Sequence, residues 1–264
     1  FDDGFRGSMA WRADGALSYL AVRDGDAQVW VNPLDGSEPR AVTAVEGGVH
    51  AYWWAPEGMR MIVLASPPEP EGDEDDKADW VVHDRIEHPE QYAQLWLLET
   101  AVDGPAEGEP RQLTEAPLHP YPVAWSPDGA TLAVTYNELF SSLVDEEQRV
   151  GLLDLEGGEL TMISDPDRHA SLAAFSPDGR RLAWYRDRGD DLRAYLNLKD
   201  LVIRDMDSGE TRALTGDTQA CLSGYGSTPG DAPFWSRDGK WIYLRVAEGR
   251  DMDVRRIDTR KGRM

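Results

Sequence analysis

The stretch VAWSPDGATLAV, residues 123–134, places a four-residue turn signal between two apolar runs. Alternating apolar residues on both sides of the signal are typical of half-buried β-strands. Pro127 fixes a backbone φ suited to a turn, Asp128 can hydrogen-bond its own backbone, and Gly129 supplies the positive φ that a tight hairpin needs. The stretch therefore predicts a strand, a tight turn and a second strand.

The same hairpin block occurs five times along the chain, which indicates a repeat architecture. It recurs as MAWRADGALSYL (9–20), YWWAPEGMRMIVL (52–64), AAFSPDGRRLAWY (173–185) and PFWSRDGKWIYL (233–244). An aromatic residue precedes the turn glycine by four positions in every copy. We expect these aromatic residues to be buried core anchors. The repeat anchors are Trp11, Gly15, Trp54, Gly58, Trp125, Asp128, Gly129, Phe175, Asp178, Gly179, Trp235, Asp238 and Gly239.

A second block follows the first four hairpins and adds two strands to each. It is an apolar strand, an Asp/Gly-rich turn and a short strand that ends near Thr or Ser, as in LVIRDMDSGETRALT (201–215). Four strands per repeat predict an all-β fold, a β-propeller of four-stranded antiparallel blades. The predicted blades are 1–43, 44–114, 115–164, 165–215 and 216–264, and the last one stops inside its fourth strand.

The spacing of the turn glycines locates two insertions. Successive glycines are 43, 71, 50 and 60 residues apart, whereas a blade needs about 40–50 residues. We assign the larger insertion to residues 66–92. The other lies in GDTQACLSGYGSTPGDAP (216–233), which is rich in Gly, Ser and Pro and predicts a loop.

Composition excludes several classes of function. The net charge is −22, with 27 Lys and Arg against 49 Asp and Glu, which argues against nucleic-acid binding. No apolar run approaches the ~20 residues of a membrane helix, so we expect no membrane contact. The single cysteine, Cys221, excludes an internal disulfide and favours the cytoplasm. A periplasmic or secreted location stays open if a signal peptide has been removed.

The repeat resembles that of TolB-type propellers, which also builds the propeller domain of prolyl oligopeptidase family serine peptidases. The shared pattern is aromatic-Ser-Pro-Asp-Gly, a strand, and then Gly-Glu-x-Arg-x-Leu-Thr. The acidic insertion that leads into DWVVHDRIEHPEQYAQLWLLE (79–99), together with residues 200–215, is similar to the acylaminoacyl-peptidase branch.

This resemblance implies a non-catalytic segment that gates and positions short peptides for an α/β-hydrolase domain. The chain has no G-x-S-x-G nucleophile elbow, so we expect that domain and all catalytic residues to be absent from it. One alternative is a TolB-like platform for a protein partner. Another is a five-bladed propeller that binds a small molecule.

Five polar residues are candidates for binding a substrate or partner. His50, His119 and His169 precede the aromatic residue of the following blade, which places them near one mouth of a propeller channel. The alternative is that they are ordinary loop residues, kept apart by the blades. By the resemblance, Glu146 and Glu147 are similar in type to the glutamate pair with which aminodipeptidase relatives hold a substrate amino group.

We expect no metal, no cofactor and a tendency to associate. Four turn aspartates could form a metal ring, but turn chemistry explains them without a ligand: Asp14, Asp128, Asp178 and Asp238. A blade that lacks its fourth strand exposes a strand edge, so we expect a dimer or another homo-oligomer, or aggregation.

Overall fold

The structure is a computed structural model. It describes residues 4–23, 25–56, 59–66, 93–100, 108–115, 118–138, 148–188, 198–216, 221–222, 232–248 and 250–262. Within these ranges the chain forms twenty β-strands and no helix, in five antiparallel sheets. The predicted all-β class is confirmed. Nowhere in these ranges is there a helical segment with the length and hydropathy of a membrane span.

The first compact unit, Phe1–Pro120, contains sheets 1 and 2. Each sheet is a meander whose strands pair in chain order. Sheet 1 contains β1 (Gly4–Trp11), β2 (Leu17–Val22), β3 (Ala27–Asn32) and β4 (Arg40–Ala41). Sheet 2 contains β5 (Ala51–Trp54), β6 (Arg60–Ala65), β7 (Gln94–Glu99) and β8 (Arg111–Gln112). Apolar residues of β3 and β6 are fully buried in one core between the two sheets, Val29 and Val31 from β3 and Met61, Val63 and Ala65 from β6.

The second compact unit, Tyr121–Met264, contains sheets 4 and 5 and all of sheet 3 except the first three residues of its first strand. Sheet 3 contains β9 (Leu118–Trp125), β10 (Thr131–Glu138), β11 (Gln148–Asp154) and β12 (Leu160–Met162). Sheet 4 contains β13 (Ala170–Phe175), β14 (Arg181–Asp187), β15 (Lys199–Asp205) and β16 (Thr211–Ala213). Sheet 5 contains β17 (Cys221–Leu222), β18 (Phe234–Trp235), β19 (Trp241–Glu248) and β20 (Asp251–Asp258). The blade boundaries proposed above stay a prediction.

Sheet 5 differs from the other four because its first strand is split. Both β17 and β18 pair with β19, the former at residues 246–247 and the latter at residues 242–243. On its other side, β19 pairs with β20 along the whole length of β20. Residues 216–233 were expected to be loop throughout, and β17 is the exception. Sheet 5 is therefore three strands wide across the described residues.

The hairpin turns form through side chains as well as backbone. At the turn between β13 and β14, Ser176 Oγ donates to Asp178 Oδ1 over 2.5 Å, and Asp178 Oδ1 accepts the Arg180 amide. Ser176 Oγ also accepts the Arg181 amide, and Gly179 has a φ of 70°. The turns at residues 126–129 and 236–239 repeat this network. In the first repeat Arg12 replaces the serine and its guanidinium donates to Asp14.

A buried hydroxyl follows the fourth strand of each complete sheet and joins it to the third. In sheet 4, Thr215 Oγ1 accepts the Leu201 amide at 2.8 Å. The same bond joins residues 43 and 29, residues 114 and 95, and residues 164 and 150. The Thr or Ser at the end of each repeat thus serves as a backbone acceptor.

Candidate functional site

A row of three titratable residues crosses one end of sheet 4. His169 immediately precedes β13, Asp187 ends β14 and Lys199 begins β15. The Asp187 amide donates to the His169 carbonyl at 2.9 Å, and Asp187 lies opposite Lys199 in the strand register. Neighbouring positions on paired strands share a face of the sheet. The fold therefore brings one predicted residue, His169, together with two residues that the sequence did not single out.

His169 is neutral at physiological pH. Its side chain is 12% exposed and its Nδ1 lies 3.9 Å from Asp187 Oδ1, too far for a hydrogen bond. Burial lowers the pKa of His169 to about 4, and the positive charges of Lys199 and Arg149 act in the same direction. Nδ1 has no hydrogen-bond partner among the described residues. A buried neutral imidazole of this kind can accept or donate one hydrogen bond to a ligand.

A second row beside it holds a buried ion pair. Arg188 Nε donates to Asp200 Oδ1 at 2.7 Å, and Arg188 Nη2 donates to the Thr215 carbonyl. Arg186, which faces Asp200 in the register, has its Nη2 3.8 Å from Asp200 Oδ2. The side chain of Asp200 is 8% exposed and lies between two guanidinium groups. These contacts tie β14, β15 and the segment after β16 together.

This end of sheet 4 contains serine, histidine and aspartate but not the geometry of a catalytic triad. Ser171 Oγ is fully buried and has no hydrogen-bond partner in the part of the chain that the structure describes. A nucleophile must be hydrogen-bonded to its base, and the base to its orienting carboxylate. Neither bond is present, since His169 and Asp187 are also too far apart. Within the described residues, these three side chains therefore do not form a catalytic triad.

The other predicted binding residues are not brought to this site by the described contacts. His50, in the first unit, is exposed and its Nε2 lies 3.0 Å from Ser66 Oγ. His119 lies within β9 rather than in a connection, and its side chain is outside the described residues. Glu146 and Glu147 are also outside them, as is the turn glycine Gly58. A common cluster of the three histidines stays a prediction.

The repeat aromatic residues differ in burial. Trp235 is 7% exposed, and its indole Nε1 donates to the Ala174 carbonyl at 3.0 Å. Trp54 is half-buried and donates to Ser18 Oγ at 2.8 Å. Trp125 and Phe175 are also half-buried. Trp11 departs from the expected burial because it is 67% exposed. No sheet of the first unit covers its face within the described residues.

The turn aspartates accept hydrogen bonds within their own turns. The hydrogen bond from Arg12 lowers the pKa of Asp14 to about 2, and the hydrogen bond from Ser236 does the same for Asp238. The hydroxyls of residues 126 and 176 lower the pKa of Asp128 and Asp178. Across the ranges that the structure covers, no group of three potential ligands could hold a metal ion.

A groove of about 320 Å³ lies between sheets 4 and 5 within the second unit. Its arginines are engaged in structural bonds: Arg181 Nη1 donates to Thr259 Oγ1 at 3.1 Å, and Arg212 Nη2 donates to the Thr259 carbonyl. The carboxylate of Asp205 accepts amides of its own turn. The groove is therefore a seam between two sheets in which Arg181, Arg212 and Asp205 already have partners.

Known proteins with similar sequences are peptidases, although no protein-family model matches the chain. Dipeptidyl-peptidase 5 of Porphyromonas endodontalis is 25% identical over 209 residues, which are 69% of this chain and 30% of that protein. The uncharacterized peptidase YuxL of Bacillus subtilis is 29% identical over 143 residues, which are 48% of this chain and 21% of that protein. The match thus spans less than a third of the length of either relative.

Solved structures share the fold. A puromycin hydrolase superimposes with a TM-score of 0.65 at 18% identity, over 97% of this chain and 36% of that chain. TolB from Acinetobacter baumannii superimposes with a TM-score of 0.59 at 15% identity, over 98% of this chain and 53% of that chain. The resemblance to peptidase propellers and TolB-like proteins is therefore confirmed, and these structures establish the fold alone.

Proposed function

We propose that the chain is a non-catalytic β-propeller segment of a prolyl oligopeptidase family serine peptidase. The five sheets are its successive blades, and the fifth blade is incomplete. The segment gates and positions short peptides for an α/β-hydrolase domain outside these residues. The observation that carries the proposal is the match to dipeptidyl-peptidase 5, which covers 69% of this chain and only 30% of that protein.

The end of sheet 4 around His169 supports a positioning role. Among the residues that the structure describes there, cationic side chains outnumber carboxylates, in a chain whose net charge is −22. The cations are Arg149, Arg186, Arg188 and Lys199, and the carboxylates are Asp187 and Asp200. A local positive excess attracts a carboxylate, and neutral His169 supplies a further hydrogen bond. The chemistry fits the carboxyl end of a short peptide.

Hydrolysis by the full-length parent protein tests this proposal. We expect it to cleave short chromogenic peptides, with kcat/KM falling as the peptide is lengthened. Lys199→Met should lower kcat/KM about tenfold for peptides with a free carboxylate, which corresponds to 1.4 kcal/mol, and should not affect amidated peptides. Lys240→Met is the matched control, because Lys240 is 66% exposed at a turn of sheet 5. An equal loss on both kinds of peptide would contradict positioning.

The second candidate is a TolB-like platform that binds a protein partner without chemistry. The observation that favours it is the likeness to TolB from Acinetobacter baumannii, which covers 98% of this chain. The reading frame beyond codon 264 separates the two functions. A nucleophile elbow within about 250 codons favours the peptidase. A stop codon soon after Met264, together with saturable binding of a purified protein partner, favours the platform.

A further inference from the structure

An aspartate followed by a glycine can rearrange without an enzyme. The glycine nitrogen attacks the side-chain carboxyl carbon of the aspartate, and the carboxyl hydroxyl leaves with the amide proton as water. The resulting succinimide takes up water at either carbonyl, which restores aspartate or yields isoaspartate. Glycine favours the attack because it carries no Cβ beside the nitrogen. Five such pairs have both residues in the described part of the chain: 14–15, 35–36, 128–129, 178–179 and 238–239.

In four of these pairs the hairpin turn already holds the glycine amide. The amide donates to the carbonyl of the residue three positions earlier, at 3.0 Å for residue 15, 2.9 Å for residues 129 and 179, and 2.8 Å for residue 239. Each turn joins two neighbouring strands of one sheet. The nitrogen in these four turns can therefore attack only after the hairpin has opened.

The pair Asp35–Gly36 lies in the turn between β3 and β4, and its amide is not held. The Gly36 amide donates no hydrogen bond to any residue that the structure describes. Residues 34–38 are all exposed, and a Cβ on residue 36 would have no atom within 4 Å apart from those of its chain neighbours. Only two residue pairs join β4 to β3. The nitrogen is therefore accessible in the folded chain.

The aspartate carboxylates have matching surroundings, so the glycine amide is the feature that differs. Asp35 Oδ1 accepts the amide of Ser37 at 2.9 Å and its hydroxyl at 2.6 Å. Asp128 Oδ1 accepts the Ala130 amide at 3.0 Å and the Ser126 hydroxyl at 2.5 Å. In both turns the serine hydroxyl lowers the pKa of the carboxyl group. The carboxyl groups of residues 35 and 128 are thus comparable targets for attack.

We propose that Asp35–Gly36 is a modification site, at which the folded protein forms isoaspartate faster than at the other four pairs. The rearrangement carries the main chain through the former side chain, which lengthens the turn between β3 and β4 by one carbon. It also leaves a free α-carboxylate in place of the side-chain carboxylate. The residue keeps its charge, so the change is one of turn length.

Peptide mapping of the aged protein tests this site. The folded chain is incubated at neutral pH, and fragmentation mass spectrometry separates isoaspartate from aspartate at each of the five pairs. Isoaspartate at residue 35 should accumulate about fivefold faster than at residues 128, 178 and 238, because attack there breaks no backbone hydrogen bond. In denaturant the rates should converge, because the hairpins that hold the other amides are lost.

Two matched variants measure the same step through a different leaving group. Asp35→Asn and Asp128→Asn form the same succinimide with loss of ammonia, and the first should react about fivefold faster in the folded chain. Gly36→Ala should slow isoaspartate formation at residue 35, because its Cβ crowds the attacking nitrogen. Equal rates at all five pairs of the folded chain overturn the proposal. A preference for residue 35 that persists unchanged in denaturant also overturns it, since the fold would then not be its cause.

Discussion

Gly239 and Arg181 are in direct contact across sheets 4 and 5. Arg181 Nη2 donates to the Gly239 carbonyl at 2.9 Å, and a Cβ on residue 239 would lie 2.7 Å from the same nitrogen. The Arg181 guanidinium also lies 5.0 Å from the centre of the Trp235 ring. The turn glycine of sheet 5 thus contacts an arginine of the preceding sheet, in addition to its role in the hairpin turn.

Gly239→Ala should lower the free energy of unfolding by about 1–3 kcal/mol. The residue has a φ of +65°, which strains an L side chain, and the new Cβ must displace Arg181. Chemical denaturation measures the loss. Gly158→Ala is the control, because residue 158 has a φ of +70° and open space around its Cβ position. Equal stability of the two variants would show that the contact with Arg181 has no energetic role.

Trp235→Phe should destabilise the chain by about 1–3 kcal/mol, since it leaves the Ala174 carbonyl without its donor and weakens the contact with Arg181. Trp11→Phe should change stability by less than about 0.5 kcal/mol in dilute solution, because that side chain is mostly exposed. Thermal and denaturant unfolding provide the comparison. Similar losses for the two variants would mean that Trp11 is covered in solution by the chain itself.

Thr215→Val should cost about 1–3 kcal/mol, because it leaves the buried Leu201 amide without an acceptor at nearly constant side-chain volume. Thr211→Val changes an exposed residue of β16 in the same sheet and should cost less than about 0.5 kcal/mol. Amide hydrogen exchange at Leu201 gives a local measurement. Unchanged protection of that amide in Thr215→Val would refute the role of the hydroxyl.

Acid should remove the stabilisation that Asp238 contributes. Its pKa is about 2 in the folded chain against an ordinary value of 3.8. The contribution is therefore present above pH 3.8 and is lost as the pH falls toward 2. The stability difference between wild type and Asp238→Asn should shrink over this interval. Ser236→Ala should raise the pKa of Asp238 in an NMR titration, and an unchanged value would exclude the serine as the cause.

His169 should make folding less favourable as the pH falls from 6.5 toward 4. Its pKa is about 4 when folded, so over this interval the unfolded chain binds a proton that the folded chain does not. Above pH 6.5 the effect disappears. His169→Gln should therefore lose less stability than the wild type between about pH 7.5 and about pH 5. Equal losses would mean that the imidazole titrates normally.

The hairpin turns can be predicted from the sequence because their bonds are local. Ser176 and Asp178 hydrogen-bond to each other and accept the amides of residues 181 and 180, and Gly179 adopts the positive φ of the turn. All these bonds lie within a few residues, so the order of the residues alone indicates the turn. The spacing of five such turns then indicates the repeated sheets. His169 could be singled out by its position before the first strand of a repeat.

The ion pair of Asp200 and the burial of the repeat aromatic residues could not be predicted, because they depend on how strands and sheets pair rather than on the local order of residues. Asp200 meets Arg188 twelve residues away only because β14 and β15 pair in one register. The burial of Trp235 and the exposure of Trp11 depend on whether another sheet covers each face, although both residues occupy the same repeat position. The two-residue strand β17 has no signal of its own within a segment rich in Gly and Ser.

The split edge of sheet 5 makes it a natural place to graft foreign sequence. The chain leaves β19 after pairing at Val246 and returns to pair at Tyr243, so the two attachment points are three residues apart along one strand. That distance is about 10 Å, which a folded tag or a peptide epitope with adjacent termini can bridge. We expect a sequence inserted between residues 222 and 234 to leave the register of β17 and of β18 with β19 unchanged.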